Sequence, residues 1–154
     1  MGKMSQLAAM LDDGASAKQI ADWIFSLKVQ RGEDINETTY DKCMETAKMW
    51  VRKDEAKRNV REGMNKLAKE VYKNAVNHGF WKDEVNDGER MALIHAEISE
   101  ALEALREGNP SSNKIIEFSS LEEELADAII RIMDYAFGKD LDIAGAILAK
   151  VEYN

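Results

Sequence analysis

Residues 91–108 read MALIHAEISEALEALREG, and residues 119–137 read SSLEEELADAIIRIMDYAF. In both, apolar residues return every three or four positions, the period of an amphipathic α-helix. Gly108, Asn109, Pro110, Ser111 and Ser112 stand between them, a polar break that predicts two helices joined by a loop. Each helix carries two acids three residues apart, Glu97 with Glu100 and Glu124 with Asp127.

On a wheel of about 100° per residue, Leu93, Ala101 and Ala104 fall within roughly 40° of Glu97. Met91, Ile94, Ile98, Leu102 and Leu105 extend the same arc. His95, Ser99, Glu103, Arg106 and Glu107 make the water-facing side. Glu97 is therefore predicted inside the apolar stripe, with Glu100 at its edge. A carboxylate taken out of water needs a partner, because an unpaired buried charge is very costly. On the second helix, Leu121, Leu125, Ile129, Ile132, Met133 and Ala136 form one broad apolar arc, which Ala126, Ile130 and Phe137 widen. Glu124, Asp127, Arg131 and Asp134 share the remaining strip. So wide an arc predicts cover by neighbours on two sides, with the acidic strip facing water or an internal cleft.

The rest of the chain limits the classes open to it. Its 154 residues suit one compact domain, and an apolar content of 45% can supply a core. One proline and nine glycines argue against a sandwich or barrel. A net charge of −8 argues against nucleic acid held on a broad basic surface, and it means that an anionic substrate needs a cation as mediator. The single cysteine, Cys43, permits no internal disulfide and fits a reducing cytosol; it reads as incidental to function. No run of 18 apolar residues and no signal-peptide pattern is present, so a soluble, cytoplasmic protein with no membrane partner is expected.

In chain order, residues 3–11 predict a short helix ended by Asp12-Asp13-Gly14. Ser16 predicts an N-cap for a helix to about Arg31, with Ile20, Ala21, Ile24, Phe25 and Leu27 inward. This helix-turn-helix outline is better read as an extension packed on a core or another subunit than as a DNA reader, given the acidic chain. Asn36 or Thr38 starts a further helix, with Tyr40, Met44, Ala47 and Val51 on one stripe. The mixed charges of RKDEAKRNVRE (52–62) read as a solvated face, and Asn59 or Gly63 as a break. Residues 60–78 then form the first core helix, with Gly79 as its C-cap. Phe80-Trp81 either stack on a ligand's ring or plug the end of the core. Asp87 caps the helix bearing Glu97. Ser119 or Ser120, with Glu122 or Glu123, predicts a capping box for the next. Lys114 is the loop's lone base, which by itself reads as a solvated lysine. A last helix runs over 141–153. The expected fold is all-α: a bundle of about four core helices at 60–154 and an N-terminal helical extension at 1–59.

Two acid pairs on neighbouring helices make a cluster of up to four negative charges, unstable without a cation. Oxygen ligands with no cysteine and no histidine on that face suit Mg²⁺ or Mn²⁺. Di-iron bundles need Glu-x-x-His motifs, and neither pair is followed by one. Carboxylate-held Mg²⁺ that keeps several waters is a common device for polyphosphates.

Glu97-Ile-Ser-Glu100 followed by Glu124-Leu-Ala-Asp127 resembles the ExxE…ExxD signature of the MazG-like, all-α nucleoside triphosphate pyrophosphatases. ALIHAEISEALEALREG and EEELADAIIRIMDYA resemble that family's core segments. So do Asn74-Ala75 with Gly79-Phe80-Trp81 upstream, and Ala149-Lys150 with Tyr153-Asn154 downstream. The resemblance covers roughly residues 67–154. It implies hydrolysis of a (d)NTP between the α- and β-phosphates, with Glu97, Glu100, Glu124 and Asp127 as Mg²⁺ ligands and catalytic residues. Asp134 would be an extra ligand or a partner for Arg131. Lys150 and Asn154, and after them Lys114, would contact phosphates, Arg131 would join in binding the substrate, and Trp81 would touch the base. It also implies a homodimer or homotetramer with sites completed across subunits. Relatives often continue past the position of Asn154 with basic residues, which leaves phosphate binding incomplete here or completed by another subunit. The segment 1–59 lies outside the family pattern. The alternative is a non-catalytic helical interaction or nucleotide-binding protein that keeps the acidic metal site.

Overall fold

The computed structural model describes residues 2–36 and 38–154. Among them, 74% of the chain is helical, in six helices, and no strand forms. The fold is an all-α helical bundle. The helices are α1 (Lys3–Asp12), α2 (Ala17–Gln30), α3 (Thr39–Asn77), α4 (Asp87–Arg106), α5 (Ser120–Gly138) and α6 (Ile143–Tyr153).

The chain divides into two compact units, Met1–Val60 and Arg61–Asn154. In the first, Leu7, Ile20, Ala21, Cys43 and Ala47 form a small core, with Trp23, Phe25 and Trp50 packed against it. Ser16 begins α2 with a complete capping box, exchanging hydrogen bonds with Gln19. Cys43 is a buried packing residue there.

α3 runs unbroken for 39 residues through Asn59 and Gly63, where a break was expected. The reason is a matter of size. One interior glycine costs about 1 kcal/mol against alanine, which does not offset the hydrogen bonds of a long helix already nucleated. Ion pairs such as Arg58–Asp54, 3.2 Å apart at i,i+4, also line its charged stretch. The expected first core helix is thus the C-terminal part of α3. Its end is as the sequence predicts: Gly79 takes φ +86°, and the Phe80 N–H closes back on the Ala75 carbonyl.

The second unit is built on α4 and α5. Partners rise along α4 as they descend α5: Asp87 meets Lys139, Arg90 meets Asp134, and Glu97 meets Arg131. The two helices are therefore antiparallel. Ala101 and Ala104 on α4, with Ala128 and Ala136 on α5, are buried, and such small side chains let helix axes approach closely. Asn86, one residue before the expected Asp87, caps α4 by accepting from the Glu89 N–H. Asp87 sits in the first turn, where its charge suits the helix dipole. Ser119 and Glu122 make the capping box of α5. The loop between them is closed on itself by a Ser111–Ser119 bridge, and the Asn109 side chain accepts from the Leu121 N–H.

Candidate metal centre

Three carboxylates converge from α4 and α5. Glu97, Glu100 and Glu124 each offer an oxygen, and these oxygens lie within 4.8 Å of one another. Glu97 is 5% exposed, at the place inside the apolar stripe that its position on the wheel predicts. Ligands of one octahedral Mg²⁺ at about 2.0–2.1 Å stand about 2.9 Å apart when adjacent and about 4.2 Å when opposite, so the three carboxylates would have to draw together to share one ion. One oxygen of Glu124 is buried with no hydrogen-bond partner among the described residues. Burial, and after it the neighbouring Glu100 charge, pushes the Glu124 carboxyl above the usual range. An orphaned buried oxygen in an all-carboxylate donor set fits a hard divalent cation. Asp127 stands outside this tightest group and lines an adjoining cleft.

That cleft holds about 480 Å³ and is lined by Asn74, Phe80, Arg90, Asp127, Arg131 and Asp134 among others. Its volume lies in the range of small-molecule sites. Arg131 joins the two features: its Nε–H donates to Glu97 while its side chain lines the cleft. The arginine is thus the partner that the buried Glu97 needs.

Asp134 lines the same cleft but stands outside the converging carboxylates. It is buried, and its oxygens accept from the Trp81 indole N–H at 2.8 Å and from Arg90 at 3.4 Å. Arg90 also donates to the Phe80 carbonyl and lies 4.8 Å from the centre of the Trp81 ring. Burial raises the Asp134 carboxyl, against the pull of Trp81 and both arginines. Trp81 packs edge-on to Tyr72 and lies against Gly138, where a Cβ would overlap its ring. This ring plugs the end of the helix pair, whereas Phe80 is exposed and lines the cleft.

Glu123 is not a capping residue. It is buried, accepts from Ser112 Oγ at 2.5 Å and pairs with Lys114 at 2.5 Å. Those contacts hold its carboxyl below the usual range, Lys114 most strongly. Ser112 Oγ in turn accepts from the Lys114 and Ile115 N–H groups. Lys114 is raised by Glu123 first and also feels Glu124 and Asp127, so the loop lysine stands within the field of the acidic cluster. Lys150 lies near the end of α6, its ammonium 4.6 Å from the Tyr153 ring, and Asn154 follows the helix, exposed.

Of the cleft's lining, Arg90 was not singled out in the sequence, whereas Phe80 was one of the two aromatics read as a ligand contact or a plug. Arg90 carried a signal: a cation in the first turn of a helix is opposed by the dipole and needs another reason to be there. Comparison with known proteins found no matching family model, no matching curated protein and no matching solved structure.

Proposed function

We propose that this chain is a Mg²⁺-dependent hydrolase of nucleoside triphosphates, cleaving between the α- and β-phosphates to give a monophosphate and pyrophosphate. The observation that carries the reading is the convergence of Glu97, Glu100 and Glu124, one of them buried, beside a cleft of about 480 Å³. The ExxE…ExxD resemblance supplies the reaction class.

In this reading Glu97, Glu100 and Glu124 hold the cation, and Asp127 joins them from the cleft wall. Bound there, Mg²⁺, or Mn²⁺ in its place, would offset phosphate charge and lower the pKa of a water. A carboxylate oxygen left free accepts the proton of the attacking water, whose oxygen bonds to phosphorus as the bridging P–O bond breaks. Pyrophosphate leaves with that bond's electron pair. In the same reading Arg131 and Lys114 meet phosphate oxygens. Phe80 is the ring available to a base. A homodimer or homotetramer belongs to the same proposal, and a second copy would be the source of further phosphate contacts.

The test is a panel of NTPs and dNTPs with Mg²⁺, products resolved by chromatography. Monophosphate plus pyrophosphate, lost in Glu97→Gln and Glu124→Gln, is expected. Orthophosphate plus a diphosphate would refute the cleavage position. Nucleotide binding without turnover would favour the non-catalytic alternative.

A further inference from the structure

We infer that Arg131 is a partner-switching residue: it neutralises Glu97 when the carboxylates hold no cation, and moves to the phosphates of the bound nucleotide when they do. This rests on the metal-site reading above. Glu97 belongs to the converging carboxylate group and is also the acceptor of the Arg131 Nε–H. The two ends of that pair differ in exposure, the side chain of Glu97 being 7% accessible and that of Arg131 39%. The buried partner is fixed by the helix packing, and the half-exposed one is free to turn. Arg131 also lines the cleft, so a rotation about its own side chain carries the guanidinium from the carboxylate to a ligand there. A buried carboxylate that loses a cationic partner pays a large penalty unless another cation replaces it. Guanidinium and a divalent cation repel across a shared carboxylate. Arg131 is therefore released as the site fills, and its planar fork suits phosphate oxygens. Linkage makes the effect reciprocal: an anion that draws Arg131 into the cleft also raises the affinity of the carboxylates for metal.

The experiment uses nucleotide-free full chain and reads Mn²⁺ binding directly, from the loss of the free-ion electron paramagnetic resonance signal. Arg131→Gln is expected to bind Mn²⁺ about three- to tenfold tighter than the wild type, with Arg131→Lys in between. In parallel, the Arg131 Nε–H resonance of ¹⁵N-labelled wild type is expected to be shielded from water exchange in chelator and to exchange freely at Mg²⁺ saturation. Equal or weaker Mn²⁺ binding in Arg131→Gln, or an Nε–H that stays shielded, overturns the switch. If the wild type binds Mn²⁺ and Glu124→Gln does not, such a result removes the switch alone. If the wild type itself binds none, the metal-site reading falls and the switch with it. Far-ultraviolet circular dichroism of each variant shows that the helices are retained.

Discussion

Glu124 carries an oxygen that is buried without a hydrogen bond, and its carboxyl is raised first by that burial and then by Glu100. The sign of the consequence follows from linkage. A folded-state pKa above the unfolded one means that the folded chain binds more protons between the two values, so stability falls as pH rises through that window. At neutral pH, without metal, the ionised Glu124 opposes the fold. Glu124→Gln is therefore expected to raise the melting temperature by about 2–4 °C in chelator, and to flatten its dependence on pH across the carboxylate range. Mg²⁺ should raise the melting temperature of the wild type but not of the variant. Scanning calorimetry with and without chelator checks both; a lower melting temperature for the variant in chelator refutes the account. Gly138 gives a prediction against the usual direction. It is the last residue of α5 and takes no positive φ, a place where replacing glycine by alanine ordinarily stabilises by about 0.4–1 kcal/mol. Here the new methyl would overlap the Trp81 ring, and overpacking costs about 1–3 kcal/mol. Gly138→Ala should lose stability in urea titration and shift tryptophan fluorescence. Glu97's burial was legible in the sequence because a wheel needs only local periodicity. Its partner was not: Arg131 lies 34 residues away on another helix, and no periodicity selects among distant cations.

Between single residues and the bundle stand the elements, and the loop joining α4 to α5 shows what sequence patterning can and cannot supply. Either of two serines and either of two glutamates satisfied the capping pattern. The structure uses Ser119 with Glu122, because helical phase turns the next residue, Glu123, inward onto the returning loop. There Glu123 grips Ser112 and Lys114, and Ser112 grips the backbone of Lys114 and Ile115. This is a latch that orders the loop beside the carboxylates. Glu123→Ala removes both side-chain partners and is expected to speed amide exchange at Lys114 and Ile115 by about tenfold, with α4 and α5 unaffected. The Glu123 carboxyl is depressed by Lys114 and Ser112. Its contribution is therefore fully present above the ordinary carboxylate pKa and is lost as pH falls through the depressed value. Measured against the intrinsic exchange rate, which itself falls with pH, the protection of the loop in the wild type should be lost in acid, and the variant should lack that dependence. Hydrogen exchange followed by mass spectrometry reads both. α3 is the converse case. Its helical period was plain, but composition alone could not show that a glycine with open space around it would be tolerated in a helix of that length.

For the molecule as a whole, the unexpected feature is how much apolar surface one copy leaves uncovered. The wide apolar arc of α5 predicted neighbours on two sides. In the single chain Leu125, Ile129 and Ile132 form an exposed stripe on that helix, and Ile98, Leu102 and Leu105 form another on α4. Leu102 is 49% and Ile129 51% exposed. Soluble monomers rarely leave contiguous apolar patches larger than a few hundred Å² open to water. Each stripe keeps helical spacing along its own helix, whereas the polar face of α4 lies elsewhere. Chance scatter of surface leucines would not keep that phase. Cover by a second copy of the chain, which belongs to the function proposed above, would take these stripes out of water. The full chain at micromolar concentration should sediment as a dimer or tetramer. A charge placed on such a stripe separates two cases. If the stripe is part of a hidden core, Leu102→Glu or Ile129→Glu will unfold the chain, because an unpaired charge would be buried. If it faces another copy, the double variant will keep its helical circular dichroism and sediment as a monomer, since the charge then rests in water. The second outcome is expected. A wild type that sediments as a monomer across the micromolar range would show that these stripes face solvent, and the proposal that a second copy supplies phosphate contacts would fall.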